Sequence, residues 1–136
     1  GPDWPACSEC SLKLKEISYI HSEAYAAGEL KHGTLSLIED GTPVIALASD
    51  GGYYDKMCGN IREVRSRGGF VILVCGEDLD EPEKFSDAHF VLPKTERYFT
   101  PLATVVFSQL LAYETALLRG CDVDHPRNLA KSVTVE

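Results

Sequence analysis

The sequence of 136 residues lacks several features by which common functional classes are identified. Its 13 basic residues are outnumbered by 21 acidic ones, whereas nucleic-acid-binding proteins need an excess of cations to neutralise phosphates. No run approaches the roughly eighteen consecutive apolar residues of a membrane span. The first residues also lack the basic region and apolar core of a signal peptide. We therefore expect a protein that binds neither nucleic acid nor membrane.

Cysteine is present five times, but at an odd count and with irregular spacing. This usage predicts no disulfide framework and indicates a reducing, cytoplasmic environment. Cys7 and Cys10 form a CxxC pair, yet there is no second pair to complete a zinc site and no preceding strand to suggest a redox motif. We expect two small side chains in the first turns of a helix. No residue set has metal-ligand spacing and no glycine-rich nucleotide loop is present, so neither metal nor cofactor is predicted.

Apolar runs alternating with helical patterns are the main structural signal. Residues 44–48 and 70–74 predict buried parallel strands, and residues 89–92 predict a weaker third strand. The predicted helices are residues 5–27 ending at Gly28, residues 52–67 capped by Asp50, and a long helix from Thr100 to just before Gly120. This alternation indicates an α/β layered fold with a parallel sheet.

Two features predict that a second subunit or a further segment of the same protein completes this fold. The helix that begins at Thr100 is apolar nearly all round, so we expect it to be covered by its own sheet and by a partner, as in a homodimer. Only three strands are evident and a helix precedes them, whereas doubly wound sheets usually have more. We expect an incomplete half-domain whose first strand lies upstream of Gly1.

Charged residues on the first predicted helix are the main candidates for chemistry. Glu9, Lys13 and Glu16 follow an i, i+4, i+7 spacing and so share one face. From spacing alone a solvated ion-pair ladder is favoured, and a carboxylate base facing a cleft is the alternative. His21 is expected in the core or at an interface. His32 lies in a glycine-flanked loop that can aim its side chain, and its role stays open on this evidence.

Longer motifs resemble one known family. Residues 12–21 and 23–33, which read LKLKEISYIH and EAYAAGELKHG, resemble the isomerase domain of the glucosamine-6-phosphate synthases. Residues 122–136, DVDHPRNLAKSVTVE, resemble the C-terminal sequence of that family, and shorter matches lie at 63–69 and 109–113. The match covers most of the chain. Thr34 replaces the family's usual proline, and Cys10 its usual glycine.

The resemblance implies a fold and an activity. The fold is the three-layer αβα, flavodoxin-like SIS (sugar isomerase) type, as one half of a double-SIS isomerase domain. Residues 1–136, including the tail 121–136, correspond to the second SIS subdomain, without the first SIS subdomain and the glutaminase domain. The family forms glucosamine-6-phosphate from fructose-6-phosphate and glutamine for amino-sugar synthesis. These sugar phosphates, the two missing domains and a second subunit are thus the expected partners.

The resemblance also implies residue roles. Glu16 corresponds to the base that moves a proton between C1 and C2, and Lys131 to the tail lysine that engages the substrate carbonyl. His32 corresponds to the ring-opening residue, which in the family reaches the site across a dimer interface. Glu9 corresponds to a carboxylate near that histidine, and the implied substrate contacts are Lys13 and Ala130. A carboxylate, an imine-forming lysine and a proton-shuttling histidine suit ketose-to-aldose isomerisation.

Two other functions remain open at this point. One is a sugar-phosphate-binding SIS module without catalysis, as in transcriptional regulators. The other is a deglycase or isomerase that does not use glutamine. Because no serine- or threonine-rich loop for a phosphate follows either strong strand, the chain by itself is expected to be inactive.

Overall fold

A parallel sheet of three strands forms the centre of the fold. The computed structural model describes residue 1 and residues 3–129 of the chain. The strands are β1 (Pro43–Ala48), β2 (Phe70–Gly76) and β3 (Ala88–Leu92), in the spatial order β1-β2-β3. In register, Leu47 lies opposite Val74, and Val74 lies opposite Phe90. The predicted parallel α/β sheet is confirmed.

Helices cover the sheet on both faces. The α-helices are α1 (Asp3–Lys13), α2 (Tyr54–Arg65), α3 (Pro82–Phe85) and α4 (Thr100–Leu118). Short 3₁₀ helices span Ala27–His32, Thr34–Leu37 and Gly51–Tyr53. The sequence analysis predicted α2 and α4 but not α3, a single turn with proline in its first turn inside an acidic stretch.

Two hydrophobic cores follow from the alternation of side chains along the strands. On one face, Val71 and Leu73 of β2 pack with Ile61 and Val64 of α2. On the other face, Val74 packs with residues of α1, β1, β3 and α4, which are Ala6, Leu47, Leu92 and Phe107. Helices α1 and α4 also pack directly on each other. The result is the expected three-layer αβα arrangement.

The first helix ends earlier than predicted. Helix α1 stops at Lys13 and continues as a π-helical turn, Leu14–Ser18, after which Tyr19 adopts a left-handed backbone with φ 58°. Gly28 is therefore not a helix cap but lies within a 3₁₀ helix. The physical reason is a set of side-chain hydrogen bonds: the buried Ser18 hydroxyl donates to the carbonyl of Leu14 at 2.6 Å.

The chain after Tyr19 folds back on α1 instead of extending it. The hydroxyls of Ser11 and Ser22 each donate to the other residue's carbonyl oxygen at 2.9 Å. His21 therefore does not lie on a helix, and its side chain is 84% exposed, so the prediction of a core position within this chain is wrong. Glu23, also predicted on that helix, lies in the same irregular segment.

Helix α4 has one covered and one exposed side. The exposed side carries a stripe of large apolar residues, which we call the α4 stripe: Leu102, Val106, Leu110, Tyr113 and Leu117. By length and composition this helix alone, among the described residues, could cross a membrane. Core helices satisfy the same criterion, and α4 packs on α1 and the sheet.

The turn after α2 depends on glycine. Gly68 has φ +88°, and a Cβ added there would lie 2.8 Å from the Cα of Asp40. Its carbonyl also accepts a hydrogen bond from the amide of Gly41 at 2.8 Å, which fixes the turn before β1 next to the turn before β2. The predicted end of the helix at this point is confirmed.

Replacing Gly68 by alanine should destabilise the protein. The left-handed backbone and the contact with Asp40 predict a loss of about 1–3 kcal/mol in the free energy of unfolding, measured by urea denaturation. Gly28→Ala is the matched control, because a Cβ there would meet nothing within 4 Å, and its effect should stay within about 0.5 kcal/mol. Equal effects of the two substitutions would contradict this account of the turn.

Candidate functional site

An open cleft of about 490 Å³ lies where the π-helical turn meets the last described residues. Its lining comes from two segments far apart in sequence, Lys15, Glu16, Tyr19, Ile20 and His21 on one side and Arg127, Asn128 and Leu129 on the other. The cleft therefore brings Glu16, the predicted base, next to residues 127–129 of the predicted tail motif.

Glu16 owes its position to the π-helical turn. A π turn inserts an extra residue into a helix, and such turns occur frequently at functional sites. Here the turn spans Leu14–Ser18, and the buried side chains of Leu14 and Ser18 hold its two ends. Glu16 lies between them with 27% of its side chain exposed, so it is partly shielded yet open to the cleft.

Lys13 links the two predicted carboxylates. Its Nζ lies 2.5 Å from Oε2 of Glu16 and 3.5 Å from Oε1 of Glu9. The hydrogen bond with Glu16 raises the pKa of Lys13, and the charges of Glu16 and Glu9 add to this effect. The ion-pair ladder predicted from spacing is thus present. Because Glu16 also lines the cleft, the ladder and the cleft-facing carboxylate coexist.

His32 is placed apart from this cleft. It ends the 3₁₀ helix Ala27–His32, its side chain is 75% exposed, and its Nε2 lies 3.9 Å from the carboxylate of Glu29. It is not among the residues that line the Glu16 cleft, and neither is Glu9. Within one chain, the described residues therefore do not bring His32 together with Glu16.

The remaining predicted site residues, Ala130 and Lys131, lie outside the described residues. The last described residue is Leu129, which lines the cleft. Tyr19, Ile20, Arg127 and Asn128, which the structure places around Glu16, were not predicted as site residues. Arg127 and Asn128 could not be identified from a local pattern, because they are more than 100 residues from Glu16 in sequence.

The carboxyl ends of β1 and β2 are acidic. In α/β sheets ligands usually bind at this edge. Here the carboxylate of Asp3 accepts hydrogen bonds from the amide and hydroxyl of Ser49, and Asp50 accepts one from the amide of Gly52. A cavity of about 570 Å³ beside α2 is lined by further acidic residues, among them Asp78 and Asp80. The amides of Ser49 and Gly52 are thus occupied by the chain's own carboxylates, and Asp50 is in turn paired with Arg97 at 2.8 Å.

The CxxC pair has a structural role. Cys7 and Cys10 lie in α1, and Cys10 packs with Leu14 and Ala112 where α1 meets α4. Burial raises the pKa of both thiols. Within residues 1 and 3–129 all five cysteines are unbridged, and no cluster of potential metal ligands occurs. The replacement of glycine by Cys10 is therefore accommodated by packing.

Comparison with known proteins gives the family. Residues 1–119 match the SIS domain model. The chain belongs to the SIS domain family.

Particular relatives extend this result. The chain is 56% identical over all 136 residues to the glutamine–fructose-6-phosphate aminotransferase (isomerizing) of Caldanaerobacter subterraneus subsp. tengcongensis, and it spans 22% of that protein. A solved C-terminal domain of glucosamine-fructose-6-phosphate aminotransferase from Francisella tularensis superposes with a TM-score of 0.85 at 39% identity, over 90% of this chain and 35% of the other. Glucosamine-6-phosphate deaminase from Thermotoga maritima gives a TM-score of 0.70 at 26% identity, over 97% and 37%.

The structural role of the cysteines predicts their reactivity. A raised pKa lowers the fraction of thiolate at neutral pH, so Cys7 and Cys10 should alkylate more slowly than free cysteine. Iodoacetamide labelling followed by mass spectrometry should leave the buried Cys10, Cys58 and Cys75 unmodified in the native protein and label all five thiols in urea. Labelling of Cys7 or Cys10 faster than free cysteine would indicate an activated thiol and contradict the structural role.

Proposed function

We propose that this chain is the second SIS subdomain (residues 1–136) of a glutamine–fructose-6-phosphate aminotransferase and supplies the base for ketose-to-aldose isomerisation. The observation that carries the proposal is the 56% identity over all 136 residues to a protein of that name. The position of Glu16 on a cleft beside the tail supports it. In this proposal fructose-6-phosphate and glutamine are the substrates of the whole enzyme, glutamine supplies the nitrogen of the product glucosamine-6-phosphate, and the location is the cytoplasm.

The proposed chemistry begins with Glu16. Its carboxylate removes a proton from one of the two carbons C1 and C2 and returns it to the other, which requires a single base that reaches both. Lys13 donates a hydrogen bond to this carboxylate and so holds its orientation. Lys131, for which the resemblance implies a carbonyl-binding role, engages the carbonyl that makes the transferred proton acidic.

Ring opening is assigned to His32 of a second copy of the chain. Within one chain His32 is exposed and does not line the Glu16 cleft. A histidine delivered across a subunit interface accounts for this separation. Histidine suits the step because its ordinary pKa lies near neutrality, so it can both give and take a proton. Glu9 is proposed to act beside this histidine.

Phosphate binding is assigned to the first SIS subdomain. In the described part of the chain, the loops after β1 and β2 present carboxylates, and Asp3 already occupies the amide of Ser49. Asp50 is paired with Arg97, but a phosphate placed there would still meet the carboxylates of Asp3, Asp78 and Asp80. Donors from another subdomain would anchor the sugar phosphate and place its carbons against Glu16, and Ala130 would contact it from the tail.

One alternative has a specific observation in its favour. The likeness to the deaminase from Thermotoga maritima supports a phosphosugar enzyme that does not use glutamine. Its identity of 26% is much lower than the 56% to the aminotransferase, so the synthase is the better assignment. A purely sugar-binding SIS module would have no need for the imine-forming Lys131.

Replacing Glu16 by glutamine in the full-length protein should abolish isomerisation. The substitution keeps the shape of the side chain but removes the base, and loss of one general base typically costs about 10²–10⁴-fold in rate. Hydrolysis of glutamine should persist, because it does not use this carboxylate. Both rates are measured on the same preparation.

The matched control is Glu83→Gln, which removes an exposed carboxylate on α3, outside the lining of the cleft. It should leave both rates unchanged. An isomerisation rate for Glu16→Gln within about threefold of the unmodified protein would refute the assignment of Glu16 as the base.

The α4 stripe is proposed to be a subunit or subdomain interface, so the 136-residue chain should associate into dimers or larger assemblies. Contiguous apolar surface of this kind usually marks an interaction site. Leu110→Glu puts a charge in the middle of the stripe and should lower the mass measured by light scattering. Leu37→Glu, on an exposed leucine outside the stripe, should not. A well-behaved monomer at high protein concentration would contradict the proposal.

A further inference from the structure

Tyr19 contacts Arg127, which lies within the predicted tail (residues 121–136), in two ways. Its phenolic oxygen accepts a hydrogen bond from the backbone amide of Arg127 at 2.8 Å. The guanidinium carbon of Arg127 lies 4.1 Å from the centroid of the Tyr19 ring, which is a cation–π geometry. One side chain thus holds both the backbone and the side chain of a residue 108 positions away.

The backbone of Tyr19 is unusual at the same point. With φ 58° it occupies the left-handed region, which a bulky residue adopts only when its surroundings impose it. Strained backbone of this kind clusters at functional sites. Tyr19 directly follows the π-helical turn that carries Glu16. Tyr19 therefore ends the turn that carries Glu16 and also contacts Arg127, which lines the other side of the cleft.

The segment that reaches Tyr19 is itself shaped by local hydrogen bonds. After α4 ends, the carboxylate of Asp122 accepts hydrogen bonds from the amides of Asp124 and His125, each at 3.0 Å. This turn is followed by Arg127 and by Asn128, which has φ 61°. Arg127, Asn128 and Leu129 then line the cleft opposite Glu16.

We propose that Tyr19 is a positioning residue that docks the chain at Arg127 against the Glu16 cleft and so limits how far from Glu16 the residues that follow in sequence can lie. The proposal rests on the proposed function, in which Lys131 acts four residues after Arg127. A short tether fixed at Arg127 restricts the positions that Lys131 can reach. Such orientation contributes to the rate of the chemical step more than to substrate affinity.

The test uses the full-length protein and two readouts. Tyr19→Phe keeps the ring but removes the acceptor for the Arg127 amide. Hydrogen exchange of a peptide covering residues 120–129 should become faster. The kcat for isomerisation should fall about threefold to tenfold, which corresponds to the free-energy contribution of one hydrogen bond. KM for fructose-6-phosphate and the rate of glutamine hydrolysis should change by less than about twofold, which is below that range.

Two substitutions of Arg127, one severe and one conservative, give a second test. Arg127→Ala removes the cation over the ring and should lower kcat in the same way. Arg127→Lys keeps a cation and the backbone amide, so it should restore most of the lost rate. The matched controls are Tyr98→Phe and Arg119→Ala, both at exposed positions outside the cleft, and neither should change exchange or kcat.

The outcomes separate this proposal from the proposed function. If the unmodified protein isomerises and Tyr19→Phe changes neither exchange nor kcat, the positioning role is overturned. Faster exchange with an unchanged kcat, or a rise in KM alone, overturns it as well. If the unmodified protein shows no isomerisation at all, the proposed function fails, and with it the positioning role that rests on it. The exchange measurement then still reports whether Tyr19 docks the segment.

Discussion

Because β2 is paired on both sides and its residues Val71, Leu73, Val74 and Cys75 have no exposed surface, each face of the sheet must be covered by helix. Helix α2 covers one face, while α1 and α4 cover the other and pack on each other through Cys10, Leu14 and Ala112. This packing fixes α1 up to Leu14, which is where the π-helical turn begins. The position of Glu16 therefore depends on burial of the sheet, through the contact between α1 and α4.

The elements that the sequence predicts correctly are those specified by neighbouring residues. Strands β1 and β2 are short apolar runs, α2 ends before Gly68, and α4 begins at the predicted Thr100. The end of the first helix was predicted wrongly because nothing local ends it: the π turn and the hydrogen bonds between Ser11 and Ser22 depend on how the chain folds back. The residues beyond Ser18 favour a helix locally, and their sequence does not show that these longer-range hydrogen bonds end it.

The candidate site likewise contains residues that could be predicted from the sequence and one that could not. Glu16 and Lys13 were identifiable from spacing and from the family motif, and their ion pair is local, three residues apart. Tyr19 was not identifiable, since its role depends on a partner 108 positions away. Its aromatic ring would otherwise be taken as part of a helical apolar face. The residues that carry charge were thus visible in the sequence, whereas the residue that joins the two walls of the cleft was visible only in the fold.

Three separate features of the described chain support a site completed from outside it. His32 is exposed and away from the Glu16 cleft, the α4 stripe leaves large apolar side chains in solvent, and the strand-end loops offer carboxylates where a phosphate needs donors. Each has a separate physical cause. The position of a 3₁₀ helix exposes His32, the composition of one helix face gives the α4 stripe, and the acidic residues of two loops give the carboxylates. The proposed composite site would account for all three together, because a second subunit would bring its own His32 and another subdomain would cover apolar surface while supplying phosphate donors. In that proposal this chain contributes the carboxylate of Glu16, which the π turn carries and to which Lys13 donates a hydrogen bond.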